Sequence, residues 1–254
     1  MTGPASERSD IRTAQNPKSK SQNIMKAIIL QHTDYEDAGY VETWLAQQNA
    51  EVKHVYLFQP EHEFPALESF DLLVICGGPM GAYEEDKYPW LIHEKAFIRS
   101  AIDAGKKVLG LCLGGQLIAS CLGAEIRKNP QPEIGWFELT AENQDADVFH
   151  IPPSFPIMEW HFDTFDLPPG AIRLASSAAC KNQMYQIGKN VMGTQCHPEM
   201  TAQDILFLID TYLADAGNAD GIQDYGTIKK GVDLYASDAN QLMADMLIYL
   251  TQDL

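Results

Sequence analysis

From Met25 onward, short apolar runs alternate with stretches of helical spacing. Lys26 to Gln31 is an apolar run of strand length, and Glu51 to Leu57 alternates as a half-buried strand does. Asp71 to Cys76 is continuous in Leu, Val and Ile, the pattern of a parallel strand covered on both faces, and it ends in Gly77-Gly78-Pro79. Lys107 to Leu111 is another short strand of this kind. Helical spacing fills the intervals. Asp37 to Gln48 places Tyr40, Val41, Trp44 and Leu45 on one side. Pro89 to Ala104 carries proline in its first turn, a stripe through Trp90, Phe97 and Ala101, and Gly105 as its stop. Gly114 to Leu122 is closed by Gly123. This order predicts an α/β fold with a mainly parallel open sheet and helices on both faces.

The middle third has a different texture. Glu133 to Thr140, Ile172 to Ser176, Met184 to Ile187 and Val191 to Thr194 have strand patterns, with Gly188-Lys189-Asn190 suited to a hairpin turn. They predict a small antiparallel extension. Thr201, with Asp204 three residues on, forms a capping box ahead of a stripe of Ile205, Leu208, Ile209 and Tyr212. A last amphipathic helix is expected over Val232 to Leu250, as core packing or as the surface of a homodimer. There is no internal repeat and no Pro- or Ser-rich linker after residue 24, so residues 25–254 are expected to form a single domain. Residues 1–24 are polar and lack the apolar segment of a secretory signal. They are expected to be a disordered extension, with Met25 as an alternative natural start.

Composition narrows the function classes. A chain of 254 residues with 45% hydrophobic and 21% charged side chains has a sizeable core to bury. The net charge of −17 repels phosphate backbones and anionic lipid, which argues against nucleic-acid and membrane-surface roles. Apolar stretches such as Leu72 to Cys76 fall far short of the roughly 18 residues of a membrane helix. The five cysteines are odd in number and contain no Cys-x-x-Cys pair, so reduced thiols in a cytoplasmic protein are expected. The seven histidines show no metal-binding spacing, and no metal or other cofactor is expected.

The sharpest chemical signal is Gly110-Leu111-Cys112-Leu113-Gly114-Gly115-Gln116, where a strand turns into a helix. A nucleophile elbow needs small residues two positions either side of the nucleophile, and a helix N-terminus there favours thiolate. The competing reading is a structural cysteine that happens to lie among glycines. A cysteine nucleophile needs a histidine base and that base an acceptor, which Cys196-His197-Pro198-Glu199 supplies after a predicted strand. On its own this segment is equally a plain turn. Gly77-Gly78-Pro79-Met80-Gly81 ends a strand without the lysine of a phosphate loop. It offers either an ordinary turn or a backbone N–H for an oxyanion hole, with Gly78 working alongside Leu113. His161 and Asp163 suit a hydrogen-bonded pair in a loop, and Glu84-Glu85-Asp86 a solvated turn or, less simply, a docking edge.

Together Gly-Leu-Cys-Leu-Gly-Gly-Gln-Leu-Ile-Ala, Cys-Gly-Gly-Pro-Met-Gly and Cys-His-Pro-Glu resemble the class I glutamine amidotransferases over residues 26–213. Tyr88 to Leu91 and Trp160 to Gly170 are similar to the stand-alone, GMP-synthase-like branch. The resemblance implies a flavodoxin-like fold and a Cys-His-Glu triad of Cys112, His197 and Glu199. It also implies oxyanion donors on Gly78 and Leu113, and substrate contacts from Gln116 and from a loop of Trp160, His161, Phe162 and Asp163. Three positions depart from it. Gly115 stands where a bulkier residue is common, Cys196 where an aromatic is usual, and Phe162 where several relatives have a glycine that can take positive φ.

The implied activity is release of ammonia from glutamine through a Cys112 thioester. Since no Ser-Gly-Gly-x-Asp-Ser loop or other nucleotide site is present, an acceptor would sit on a separate synthase subunit. The first alternative is a γ-glutamyl peptidase, which attacks the same γ-carbonyl in γ-glutamyl peptides or conjugates. The second is a non-catalytic binding or regulatory subunit, against which the intact Cys112, His197 and Glu199 argue.

Overall fold

The computed structural model describes residues 24–144 and 147–254. The extension expected over 1–24 therefore lies outside the described residues, Ile24 excepted. Along the chain run β1 (Lys26–Gln31), α1 (Tyr40–Gln47), β2 (Glu51–Tyr56), β3 (Leu72–Ile75), α2 (Trp90–Asp103), β4 (Lys107–Leu111) and α3 (Leu113–Cys121). These are followed by β5 (Ile126–Ala141), β6 (Ser154–Phe165), β7 (Ala171–Ser176), β8 (Met184–Ile187), β9 (Val191–Thr194), α4 (Ala202–Ala216) and α5 (Tyr225–Thr251). The strands form a sheet in the order β2-β1-β3-β4-β9-β8-β7-β5-β6. The first five are parallel and the other pairings antiparallel.

The period-2 geometry of a strand sorts the apolar residues into two layers. Ala27, Ile29, Leu72, Val74 and Leu109 face Val41, Trp44 and Leu45 of α1 and Leu242, Met243 and Met246 of α5. Ile28, Leu30, Leu73, Ile75 and Val108 face Leu91 and Ile98 of α2 and Leu113, Leu117 and Ile118 of α3. Both faces of β3 are covered and all four of its side chains are fully buried. Each such side chain contributes about 1.5–3 kcal/mol. A third cluster packs α4 and the start of α5 against Ile134, Trp136 and Met158 of the antiparallel part. Among the described residues no helix is long and apolar enough to cross a membrane.

Three expectations are corrected. Val191–Thr194 is not confined to the antiparallel extension: β9 pairs antiparallel with β8, as expected, but also in parallel with β4 through Leu111↔Thr194, so it completes the parallel sheet. Strand β6 runs through Trp160 to Asp163, so that segment is not a loop. The last helix begins at Tyr225, because Asp224 caps it by accepting from the Thr227 N–H at 3.0 Å. Gly226 and Gly231 weaken the helical pattern there, and a Cβ on Gly231 would collide with the Trp136 indole. The Thr201–Asp204 capping box is formed.

Candidate active site

In the parallel sheet the three motif segments leave the C-terminal ends of β3, β4 and β9, three neighbouring strands. The registers Ile75↔Gly110 and Leu111↔Thr194 bring Gly77, Cys112 and Gln195 to one edge, where open α/β sheets hold their ligands. Cys112 has φ 49° and ψ −103°, a left-handed backbone that costs a non-glycine residue about 1–3 kcal/mol. The turn closes tightly. A Cβ on Gly110 would lie 2.5 Å from the Gly114 carbonyl, and one on Gly114 would strike the carbonyl of Ile75. The Cys112 N–H donates to the Thr194 carbonyl at 2.9 Å, which ties the elbow to β9. Gly115, unlike the bulkier residue of the resemblance, lies against that same carbonyl, where a Cβ does not fit.

The His-Pro-Glu turn is held from three sides. The His197 N–H donates to Met158 of β6 at 2.9 Å, Tyr40 N–H donates to the Glu199 carbonyl at 2.8 Å, and Asn240 of α5 donates to the carbonyls of Pro198 and Met200 at 3.0 Å each. His197 Nδ1 donates to Glu199 Oε1 at 2.7 Å, and its Nε2 is buried with no hydrogen-bond partner. Burial works against the imidazolium, yet Glu199 and then the neighbouring Cys112 sulfur outweigh it and hold the ring well above the usual histidine range. The structure thus brings Cys112, His197 and Glu199 together.

Above them lies a cleft of about 400 Å³ lined by Gly78, Cys112, Leu113, Gln116 and the Trp160 to Asp163 segment. Gln116 Nε2 donates to Gln195 Oε1 at 3.1 Å, and Gln195 Nε2 points at Cys112 Sγ at 3.4 Å. Buried His161 does not turn freely into the cleft. Its Nδ1 donates to the Asp163 carbonyl at 2.9 Å, and its Nε2 lies 3.2 Å from Glu133 and 3.3 Å from Glu159. Burial opposes its charge, but the two carboxylates raise it well above its usual range. The pairing with Asp163 exists, within a strand. Asp163 itself meets Lys128 Nζ at 2.8 Å and the Tyr83 hydroxyl at 3.2 Å. Phe162 is 42% exposed at the cleft wall. Its backbone is not among the left-handed non-glycine residues Asn49, Cys112 and Asn143, so the departure from glycine here concerns the ring, not the backbone. The acidic turn is partly engaged: Glu84 accepts from the Gly81 N–H at 2.7 Å and Glu85 pairs with Lys95 at 2.7 Å.

Several residues of the site carry no motif. They are His32, Glu36, Glu94, Lys128, Glu133, Glu159 and Gln195. A positional signal existed for His32, which follows β1 at the same sheet edge, and for Gln195, which precedes the Cys-His-Pro-Glu run. Glu133, His161 and Cys180 place ligand-type atoms within 4.8 Å of one another. Their atoms are already engaged, since Glu133 Oε2 also accepts from Ser177 at 2.9 Å and from Gln183 at 2.9 Å.

The family described as glutamine amidotransferase class-I matches residues 36–207. The chain is 31% identical over 203 residues to the glutamine amidotransferase-like protein YfeJ of Salmonella typhimurium, covering 78% of this chain and 85% of that one. It is 34% identical over 163 residues to gamma-glutamyl peptidase 4 of Arabidopsis thaliana, covering 60% of this chain and 64% of that one. The crystal structure of a glutamine amidotransferase from Thermotoga maritima superposes with a TM-score of 0.81 at 28% identity, over 89% of this chain and 97% of that one. A match that takes in β3, the elbow and the His-Pro-Glu turn together leaves one conclusion: the chain belongs to the class-I glutamine amidotransferase family.

Proposed function

We propose that this chain hydrolyses the side-chain amide of glutamine to glutamate and ammonia through a thioester on Cys112. The observation that carries this reading is the left-handed Cys112 at the head of α3, on the floor of a cleft and beside the His197–Glu199 pair. The thiol proton passes to His197, whose Nδ1 is anchored so that Nε2 is the working nitrogen. The Cys112 sulfur bonds to the amide carbon, and the developing oxyanion takes hydrogen bonds from the N–H groups of Gly78 and Leu113. The C–N bond then breaks as His197 returns its proton to the leaving ammonia. Water, deprotonated by His197, cleaves the thioester and frees glutamate and the thiol. Asp163, Lys128 and Gln116 on the walls suit the zwitterionic end of the substrate. The ammonia leaves to solvent or to an acceptor on a separate chain.

A second reading, hydrolysis of γ-glutamyl peptides, is favoured by the cleft. At about 400 Å³ it falls among sites that hold ligands larger than one amino acid. The chemistry is shared and only the leaving group changes. Assay of glutamate release from free glutamine and from γ-glutamyl dipeptides separates the two. We expect turnover of glutamine, and Cys112→Ala should lower it by on the order of 10⁴-fold or more. Cleavage of dipeptides with no ammonia from glutamine replaces the first reading by the second. Full activity in Cys112→Ala overturns both.

A further inference from the structure

The peptide that joins Gly77 to Gly78 is held from behind by a histidine that no motif marks. His32 follows β1, and β1 pairs with β3 through Leu30↔Ile75, so His32 and Gly77 leave the sheet side by side. The His32 side chain is fully buried and stacks on Trp90 with ring centroids 5.6 Å apart. Its Nδ1 lies 2.8 Å from the Gly77 carbonyl oxygen and its Nε2 2.9 Å from Glu94 Oε1. A carbonyl oxygen only accepts, so Nδ1 carries a hydrogen and donates it.

Glu94 makes this arrangement unusual. It is fully buried on the apolar stripe of α2, among Leu91, Ile98 and Ala101, and its Oε2 has no hydrogen-bond partner. A carboxyl group in such a place is destabilising unless it serves another group. The group it touches is His32.

The consequence follows from peptide geometry. The described chain has no cis peptide, and in a trans peptide the C=O and the following N–H point in opposite directions within one plane. Gripping the Gly77 oxygen from the α2 side therefore aims the Gly78 N–H the other way, and Gly78 lines the cleft beside Leu113 and Cys112. Between two glycines that peptide has little intrinsic preference for one orientation. Side chains cannot be added to stiffen it. A Cβ on Gly77 would collide with the Glu36 carboxylate, and one on Gly78 would sit 3.0 Å from Leu113 and 3.1 Å from the His32 Cβ.

We propose that His32, backed by Glu94, is a positioning residue for hydrolysis: its hydrogen bond to the Gly77 oxygen fixes the Gly77–Gly78 peptide with the Gly78 N–H directed at the oxyanion. The inference rests on the reading of Gly78 as an oxyanion donor given above. Loss of the grip frees the peptide to rotate and leaves Leu113 as the remaining donor. Removing one such donor lowers kcat by about 10²–10³-fold.

The test uses the full chain and two variants, measured on whichever substrate the wild type turns over. His32→Leu alone risks stranding Glu94, so the informative variant is His32→Leu with Glu94→Leu, which replaces the buried pair by apolar side chains. Its kcat should fall about 10²-fold with KM nearly unchanged. His32→Asn, again with Glu94→Leu so that no carboxylate is stranded, keeps an amide N–H near the Nδ1 position and should recover kcat to within roughly tenfold of wild type. Two further readouts isolate the oxyanion. Alkylation of Cys112 by iodoacetamide creates no oxyanion and should keep its wild-type rate in all variants. The γ-aldehyde analogue of glutamine, which adds the Cys112 sulfur to form a hemithioacetal oxyanion, should lose affinity in step with kcat. Wild-type kcat in the Leu–Leu variant overturns the proposal, as does an Asn–Leu variant as slow as the Leu–Leu one. An equal loss of alkylation and turnover shows that His32 supports the elbow instead, and also overturns it. If the wild type turns over neither glutamine nor γ-glutamyl dipeptides, the underlying reading fails, an outcome distinct from all of these.

Discussion

The parallel and antiparallel halves of the sheet build the site in opposite ways. In the parallel half, strands β3, β4 and β9 are buried throughout and mainly apolar, and the candidate reacting groups sit just past their ends: Gly78, Cys112 and His197 each follow a strand within a few residues. In the antiparallel half, the cleft-lining surface is the strand itself. Over the cleft-lining stretch of β6 the more exposed residues are Trp160 and Phe162, and the buried ones Glu159, His161 and Asp163. The first half supplies reacting groups on turns stiffened by the core beneath them. The second supplies a wall whose stiffness comes from a buried polar cluster joining β6 to Glu133, Ser177 and Gln183. Under the proposed function the reacting groups rest on one scaffold and most of the recognition surface on the other, Gln116 of α3 excepted, so variants in each should fail differently.

The largest effects belong to the parallel half. His197→Asn should lower kcat by on the order of 10³-fold or more, and Glu199→Gln by at least tenfold less, because an orienting group contributes less than the proton carrier. Steady-state kinetics on both variants checks this, and equal small losses would reduce the His-Pro-Glu turn to a structural element.

The wall should act on selectivity. Phe162→Gly removes a 42% exposed ring from the cleft edge and should shift the ratio of kcat/KM for glutamine to that for a γ-glutamyl dipeptide by about 3–10-fold. Cys112 alkylation should not change, since the elbow is untouched. A parallel response of both substrates would place Phe162 outside the recognition surface and erase the division between the halves.

The smallest effect probes the buried cluster. Burial pushes the Glu159 carboxyl from 4.5 up to about 7, against the pull of His161 and His197 and with the push of Glu133. The unfolded chain releases this proton near 4.5, while the folded protein keeps it to about 7. Stability from this group is therefore full below the unfolded value and is lost as pH rises through the folded one. Glu159→Gln should flatten the fall of Tm across that window and raise Tm by a few degrees at pH 8. An unchanged slope would mean that the carboxyl is already charged in the folded protein.

The same contrast explains what could be read in advance. Strands β1, β3, β4 and β9 announce themselves as short apolar runs, and the elbow glycines as the residues a sharp turn needs. Strand β6 hides because its alternation is inverted over Glu159 to Asp163: there the buried set is polar, and it is satisfied only by partners such as Glu133 and Gln183, far away along the chain. The first part of β5 hides behind Pro130 and Pro132, which the fold accommodates at the register shift between Lys128 and Glu133. His32 and Glu94 look like any histidine and any helical glutamate until the sheet order places them behind Gly77.

By itself, the sequence determined the local geometry of the chemistry: a cysteine between glycines at a strand–helix turn, a histidine two residues from its carboxylate, and two glycines ending a buried strand. These follow from backbone sterics and spacing within a few residues. Only the tertiary structure decided which strands are neighbours, and hence that the three turns meet at one edge. It also decided that β9 lies beside β4, that β6 is a wall instead of a loop, and that His32 reaches the Gly77 carbonyl. The reason is physical. Steric and hydrogen-bond preferences act over a few residues and are written locally, whereas the pairing of buried polar groups depends on contacts across 45 to 62 positions, as for His32 with Gly77 and Glu94.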